Sequence, residues 1–523
     1  MEDQTAALPQ RFNFARHILE TNAGRAAKTA YIDDNGSLSY GELEQRVRRF
    51  AAGLLAGGIR REERLLLVML DTVDFPVAFL GALLAGVVPV PVNTLLTSDD
   101  YAYMIGHSGA RAIVVSAPLL ACVQEALGKT AARPELFVAG GAPAEQGLRD
   151  MAELLDAEPL AADACADTSA DDFAFWLYSS GSTGRPKGTV HSHGNLFWTA
   201  ALYAKPILGI HTDDVVFSAA KLFFAYGLGN GLTFPLSVGA TVVLTAERPT
   251  PQAVFRRLTE HKPTIFYGVP TLYVAMLASD ALPEKEEVAL RVCTSAGEAL
   301  PREVGEKFRR HFGCDILDGL GSTEMLHIFI SNRNGAVRYG TTGQPVPGYE
   351  IELRDENGRP VAPGEIGDLY IRGPSAALLY WTNREKSRAT FLGDWLRSGD
   401  KYVADADGYY SYAGRSDDML KVSGQYVSPI EVENVMIEHP AVLECAVVGK
   451  TDPEGLVKTV AYVVLARGAT ASDALSDELK AFVKGRLAPH KYPREILFVA
   501  ELPKTATGKI QRFKLRALQD ANR

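Results

Sequence analysis

Residues 178–188 read Tyr-Ser-Ser-Gly-Ser-Thr-Gly-Arg-Pro-Lys-Gly, a concentration of glycine, hydroxyl and cationic groups whose shared chemistry is anion binding. Gly181, Gly184 and Gly188 allow positive φ, so successive backbone N–H groups can converge into a concave anion site. Ser179, Ser180, Ser182 and Thr183 add hydroxyl donors, and Lys187 adds a point charge suited to a polyphosphate. The ordinary G-x-x-x-x-G-K-[ST] loop does not fit. Pro186 stands where its second glycine would be, and Gly188 follows Lys187 in place of a hydroxyl. A solvated turn is the competing reading, because Ser, Gly and Pro are common loop residues. The strand-like Phe173-Ala-Phe-Trp-Leu-Tyr178 in front favours a ligand loop leaving a buried strand.

Five further stretches carry polar or glycine residues beyond the needs of packing. They are Ser295-Ala-Gly-Glu298, Asp318-Gly-Leu-Gly-Ser-Thr-Glu324, Trp395-Leu-Arg-Ser-Gly-Asp400, Gly414-Arg-Ser-Asp-Asp-Met-Leu-Lys-Val-Ser-Gly424 and Pro503-Lys-Thr-Ala-Thr-Gly-Lys-Ile510. Taken singly each has a plain explanation: a Gly-Asp turn, a first-turn glutamate, one more surface lysine. Their joint order is what carries information.

The elements that must position these segments can be read from periodicity. Ser39 and Glu42 have capping-box spacing, Leu43, Val47, Phe50 and Leu54 share one helical face, and Gly57-Gly58 close the helix. Short apolar runs at Ala112–Val115, Ala240–Leu244 and Thr264–Tyr267 alternate with helical stretches, which indicates α/β architecture with largely parallel sheets. From about residue 343 turn residues become dense, predicting a small β-barrel-like subdomain. Beyond residue 415 an α+β unit begins, with Ser428-Pro-Ile-Glu431 as a capping box, strands at Cys445–Val448 and Thr459–Val464, and a helix around Leu475–Leu487. The expected fold is α/β: a large N-terminal domain (1–415, β-rich at about 343–415) and a small mobile α+β C-terminal domain (416–523).

Composition narrows the function. At 523 residues, 47% hydrophobic and 22% charged, the chain suits a soluble globular protein of more than one domain. A net charge of −9 argues against nucleic acid as a partner, and the short basic clusters at Arg46, Arg48, Arg49 and at Arg309-Arg310 read as solvated helix faces. The five cysteines, none within about twenty residues of another, lack the spacing of a metal knuckle or a disulfide framework. The longest apolar run, Val77–Val92, is too short for a membrane span and contains Pro89 and Pro91; it reads as a buried helix leading into a strand. With no apolar core near the N-terminus, a cytoplasmic protein away from membranes is expected.

The six chemical segments, in this order and spacing, resemble the acyl-adenylate-forming superfamily of acyl-CoA synthetases, luciferases and peptide-synthetase adenylation domains. The resemblance extends to Leu38–Leu43 and Gly81–Val92 and spans nearly the whole chain. It implies that Ser180, Ser182, Thr183, Gly184 and Lys187 hold the phosphates of ATP. It places Gly297, Glu298 and Ala299 along the adenine with Asp318 and Gly319 beside it, Thr323 at the α-phosphate, and Glu324 on Mg²⁺. Asp400 would accept from the ribose hydroxyls, Arg415 would contact ribose or phosphate, and Lys509 would bridge the substrate carboxylate and the α-phosphate. Asp417 matches the hinge of the small domain, and Lys421 and Gly424 the segment lining the pantetheine arm of coenzyme A. Catalysis would then rest on Lys509, Thr323 and Glu324. The lysine-rich ending also resembles sites silenced by acetylation, which implies a lysine acetyltransferase and deacetylase acting on Lys509.

For the acid, Lys221–Gly229 occupies the family's pocket-wall position, with Phe224, Ala225, Tyr226 and Gly227 joined by Gly321, His327 and Ile328. Three aromatics in four residues suggest a short flat slot, or else ordinary core packing. His327 could serve a substrate or a neighbour. The wording of these stretches is most similar to benzoate–CoA ligases, implying benzoate or a small substituted benzoate as substrate, converted with ATP and coenzyme A. A buried ring hydroxyl would need a partner, which favours benzoate over hydroxybenzoates. The alternatives are a ligase for cinnamate or a medium-chain fatty acid, and a stand-alone adenylating enzyme that loads a carrier protein. A non-catalytic relative is disfavoured because Lys509, Glu324 and the loop hydroxyls are all present. Whether the chain is a monomer or a homodimer is open at this stage.

Overall fold

The computed structural model describes residues 8–141, 148–179, 185–415, 419–422, 425–451, 457–487, 491–504 and 510–521. The largest sheet has nine strands. Its centre runs Ile316–Gly321, Val292–Ser295, Ile265–Gly268, Val215–Ser218, Thr241–Val243 and Thr29–Asp33, all parallel. Both margins are antiparallel: Gly36–Ser39 at one end, Ile328–Ser331 and Gln344–Pro345 at the other. The sheet is therefore largely parallel, as the alternation of elements predicts, with antiparallel margins that make it mixed. The connections from Asp33 to Gly36 and from Gly321 to Ile328 are too short for a crossover and can only fold straight back.

A second sheet of five strands, Val88–Pro91, Arg64–Val68, Ala112–Ser116, Glu135–Ala139 and Arg149–Asp150, is wholly parallel. Pro89 and Pro91 lie on its edge strand, the one place where a missing N–H costs no ladder bond. The helix Asp74–Leu84 that precedes this strand is buried almost throughout, as its apolar run predicts. It packs closely on the helix Tyr40–Ala56, which starts at the expected Ser39–Glu42 capping box. Gly81 is required at the crossing, because a Cβ there would lie 2.7 Å from the Phe50 ring. One basic residue of that second helix departs from expectation. Arg48 is buried, not solvated, and its guanidinium donates to the carbonyls of Ala161 and Ala162 and to Glu44. The cysteines are all free among the described residues.

Antiparallel strands Glu350–Arg354, Ile366–Arg372, Phe391–Leu392, Trp395–Ala404 and Tyr410–Arg415 form a half-barrel subdomain. Gln344–Pro345, just before it, pairs within the nine-stranded sheet, while Gly343 bridges to Tyr410 of the half-barrel. The smaller C-terminal α+β domain sets Val442–Thr451, Val457–Leu465 and Glu495–Phe498 against the helices Pro429–Ile437 and Asp473–Lys484. Among the described residues no helix is long and apolar enough to cross a membrane.

The amino ends of three parallel strands are clamped by one carboxylate. Asp214 accepts from the Arg291 guanidinium (2.8 Å to Nε), from the Thr264 hydroxyl (2.6 Å) and from the His211 N–H (2.9 Å). Burial alone would raise its pKa; the Arg291, Thr264 and His211 bonds outweigh burial and hold it below the ordinary carboxylate value. Its stabilising contribution is thus present above that ordinary value and lost as pH falls through the lowered one. Replacing Asp214 by Ala, which strands the guanidinium, should cost about 3–5 kcal/mol at neutral pH. Urea midpoints across pH check it: the gap between wild type and D214A should narrow below about pH 4.

Candidate active site

The carboxyl ends of parallel strands are where α/β proteins gather ligands, and two of the chemical segments, 295–298 and 318–324, lie at the carboxyl ends of neighbouring parallel strands of the large sheet. The strands Phe173–Ser179 and Lys187–Ser192, which flank the glycine-rich segment, pair antiparallel as a hairpin, with Ser179 opposite Lys187 at its mouth. Ser180, Ser182, Thr183 and Gly184 lie outside the described residues. What the structure places at the mouth is a compact charge cluster. Glu324 Oε1 accepts from the Tyr380 hydroxyl at 2.7 Å and from the Ser179 hydroxyl at 3.4 Å, and lies 3.7 Å from Lys187 Nζ. The same ammonium sits 4.3 Å from the centre of the Tyr380 ring. Burial lowers the pKa of Lys187, with Glu324 acting against that shift. Tyr380 is pushed up, by burial first and then by the Glu324 charge.

Tyr380 is a residue that the sequence does not single out. It arrives because the two-residue strand Leu379–Tyr380 adds to the hairpin, pairing Tyr380 with Thr189. Nothing in its local sequence signals this; only the long-range pairing does.

Thr323 and Glu324 stand in a turn after the strand Ile316–Gly321, between the two antiparallel members of the large sheet. Leu326 there has φ +64°, a left-handed conformation that a bulky residue adopts only under constraint. Met325 and Leu326 are themselves buried. The strands carrying Ser295 and Asp318 are neighbours in register, so Gly297, Glu298 and Ala299 emerge beside Asp318 and Gly319. Gly297 has φ +94°, and a Cβ on Gly319 would lie 2.9 Å from Ile328. Asp318 is buried; burial pushes its carboxyl well up, against the N–H of Leu300, which it accepts at 3.4 Å.

Asp400 does not sit in a turn, as its Gly-Asp dipeptide suggests. It lies inside the strand Trp395–Ala404, opposite Arg415, whose guanidinium donates to it at 3.0 Å. The turn propensity is absorbed by Gly399, at φ +78° beside a bulge in that strand. Arg415 also acts electrostatically on Lys187 and Tyr380, and both Asp400 and Asp318 act on Tyr402. The half-barrel and the large sheet therefore face one site.

The aromatic run divides between the two readings the sequence leaves open. Leu222 and Phe223 are core, whereas Phe224, Ala225 and Tyr226 are only half-buried. The loop is held from the other parallel sheet by Asp71, a second residue that sequence reasoning misses. Its buried carboxylate accepts the Leu222 N–H at 3.2 Å, and burial raises its pKa to about 6. Tyr226 shares a short hydrogen bond with the Thr294 hydroxyl. His327 is satisfied by neighbours on one side: Nε2 donates to the Tyr226 carbonyl (3.2 Å) and to Asn230 Oδ1 (3.1 Å), while Nδ1 has no partner among the described residues. Burial drives its pKa down to about 3, so the ring is neutral. Gly321 and Gly229 permit this closeness, since a Cβ would lie 2.7 Å from the His327 carbonyl in one case and 2.3 Å from its ring in the other, while Gly227 lets the loop close on itself, a Cβ there lying 2.0 Å from the Lys221 carbonyl. Ile328 is buried at the start of the next strand. Asp417, Gly424 and Lys509, and the side chain of Lys421, lie outside the described residues.

Comparison with known proteins agrees with this arrangement. Residues 19–381 match the model of the AMP-binding enzyme family, and residues 431–509 match that of the AMP-binding enzyme C-terminal domain. The chain is 59% identical to a benzoate–CoA ligase of Thauera aromatica over 98% of this chain and 97% of that protein. It superposes on the crystal structure of a benzoate CoA ligase from Burkholderia xenovorans with a TM-score of 0.91 at 66% identity, covering 97% of this chain and 100% of the other. An anthranilate CoA ligase solved with anthranoyl-AMP gives a TM-score of 0.93 at 41% identity, with 98% of each chain covered.

One expectation is overturned. These matches describe a ligase whose partners are an acid, a nucleotide and coenzyme A, and nothing in them supports an acetyltransferase or deacetylase acting on Lys509. Nor do the described residues contain a group of three or more His, Cys, Asp or Glu able to hold a metal ion unaided. By sequence, by fold and by the convergence of its segments, the chain belongs to the AMP-binding enzyme family, among the ATP-dependent acid–thiol ligases that make aryl-CoA thioesters through an acyl-adenylate.

Proposed function

We propose that this ligase acts on benzoate, and that the residues gathered at the strand ends divide the work of two half-reactions. In the first, a carboxylate oxygen attacks the α-phosphorus of ATP, pyrophosphate leaves, and an acyl-adenylate remains. In the second, the thiolate of coenzyme A attacks the acyl carbon and AMP departs. Neither step needs covalent catalysis by the protein; positioning and charge stabilisation suffice.

The observation that carries the choice of acid is the state of the polar groups around the pocket segment. Tyr226 is engaged by Thr294, and His327 Nε2 by Tyr226 and Asn230. A flat apolar ring loses nothing against such a wall, whereas a ring hydroxyl competes for groups already bonded. His327 Nδ1 is the exception, an acceptor without a partner among the described residues, and it favours a small hydroxy- or aminobenzoate as second substrate. Phe224, Ala225, Gly227, Gly321 and Ile328 complete the slot in this reading.

For the nucleotide, Ser180, Ser182, Thr183, Gly184 and Lys187 hold the phosphates, Thr323 the α-phosphate, Gly297, Glu298, Ala299, Asp318 and Gly319 the adenine, and Asp400 and Arg415 the ribose. Magnesium commonly sits on one or two carboxylates plus substrate phosphates rather than in an all-protein cage. Glu324 fits that pattern as the protein's carboxylate, and the ion would neutralise phosphate charge. Lys509 bridges the two reacting anions. The chain divides at 415/416, with Asp417 as hinge and Lys421 and Gly424 beside the pantetheine arm; the separate hydrophobic cluster after residue 419 supports that division. A cytoplasmic setting goes with this reading, since free thiols persist there.

The test is pyrophosphate release with ATP, magnesium and a panel of acids, with and without coenzyme A, products identified by mass. Benzoyl-CoA and AMP should form fastest, with 4-hydroxybenzoate at least about tenfold slower; faster turnover of hexanoate or cinnamate would overturn the choice of acid. An adenylate that coenzyme A cannot discharge would point to a carrier protein. Lys509→Ala should cut adenylation on the order of 10²–10³-fold while supplied benzoyl-AMP is still converted to benzoyl-CoA. Tyr380→Phe keeps the ring under Lys187 but removes a donor to Glu324, so adenylation kcat should fall about tenfold with little change in the KM for benzoate.

A further inference from the structure

His191 lies on the second strand of the hairpin, four residues past Lys187, and is 0% exposed. Its ring stacks on Phe175 of the facing strand, with centroids 5.0 Å apart and planes within 14°. Nε2–H donates to the main-chain carbonyl of Thr323 at 2.8 Å. Nδ1 lies 3.0 Å from Asn195 Oδ1, and that amide cannot rotate freely, because Oδ1 also accepts the Ser192 N–H and Nδ2 donates to the Pro374 carbonyl. Burial drives the pKa down to about 4 against the Asn195 and Thr323 bonds, so the imidazole is neutral and has one proton for two nitrogens that each face an oxygen; we place it on Nε2, at the shorter of the two contacts.

The carbonyl it holds begins the left-handed turn. Thr323 O also accepts the Leu326 N–H at 3.2 Å, Ser322 Oγ accepts the Met325 N–H, Ser375 Oγ donates to the Met325 carbonyl, and the Ala377 N–H donates to the Glu324 carbonyl. Residues 375 and 377 secure the far side of the turn. On the side of the glycine-rich loop, Ser179 and Lys187 reach the Glu324 side chain, whereas His191, from the same strand as Lys187, holds the main chain of the turn. A rigid, buried side chain thus ties the backbone of one segment to the strand that carries the other.

We propose that His191 is a positioning residue of the adenylation step, its Nε2–H fixing the Thr323–Glu324 turn against the strand that bears Lys187. It touches neither substrate nor nucleotide. The inference rests on the adenylation reading above. A displacement of the turn by about 1 Å is enough to cost on the order of 100-fold in a step that depends on geometry.

The experiment compares His191→Leu and His191→Gln with wild type in two assays: benzoate-dependent exchange of pyrophosphate into ATP, and conversion of supplied benzoyl-AMP with coenzyme A. Leu fills the space against Phe175 without a donor; the amide nitrogen of Gln falls close to the Nε2 position and can donate. H191L should lose about 10–100-fold in exchange kcat, with the KM for benzoate changed less than about threefold, and should keep thioester formation. H191Q should recover exchange to within about fivefold of wild type. Unimpaired exchange in H191L, equal loss in H191Q and H191L, or parallel loss of both half-reactions would each overturn the inference. If H191L does not fold, H191Q decides alone: exchange near wild type supports the role and lost exchange refutes it. Wild-type exchange with benzoate is the separate control; its absence would defeat the adenylation reading itself.

Discussion

Lys187 and Glu324 face each other with side chains only 15% and 16% exposed, and the rest of the site is arranged around keeping that pair. Opposite charges taken out of water recover their desolvation cost only when further hydrogen bonds satisfy them. The Tyr380 and Ser179 hydroxyls supply those bonds to Glu324, and the Tyr380 ring supplies an electron-rich face to Lys187. The three segments that meet there are separated by well over a hundred residues from the hairpin to the glutamate turn, and by half a hundred more to Tyr380. In the proposed function this meeting prepares the site for a polyphosphate: a lysine held beside a carboxylate is already in place to exchange that partner for an anion of higher charge.

Strain is concentrated where the chemistry needs rigidity. The turn carrying Thr323 and Glu324 contains a leucine at positive φ, and such a conformation persists only when its surroundings over-determine it. Donors and acceptors from the hairpin and from the segment around residues 375–377 do so. The Asp214 clamp at the opposite ends of the strands works on the same elements from below. The site is thus braced at both ends of the large sheet.

In the proposed reading, selectivity for the acid follows from saturation rather than from a new contact. Tyr226 and His327, the polar groups nearest the aromatic run, are largely committed to Thr294, Asn230 and each other. A pocket whose polar atoms are already bonded presents an apolar surface despite its tyrosine and histidine. The glycines at 229 and 321 belong to the same device, because a Cβ would lie 2.3 Å from the His327 ring in one case and 2.7 Å from the His327 carbonyl in the other.

Much was determined by the sequence alone. Local signals placed the helix after Ser39, the buried helix leading into the strand with Pro89 and Pro91, and the helix after Ser428, because capping and apolar runs act within a few residues of themselves. The order of the motifs carried the family. Tertiary structure decided what depends on pairing at long range. It made the large sheet mixed at its margins, put Arg48 inside, moved Asp400 from a turn into a strand opposite Arg415, and brought Asp71, His191 and Tyr380 to the site. None of these could be read locally. A hydrogen bond across a hundred residues leaves no mark on the spacing of its partners, and a buried arginine or histidine has the same letter as an exposed one until the carbonyls it must satisfy have been folded around it.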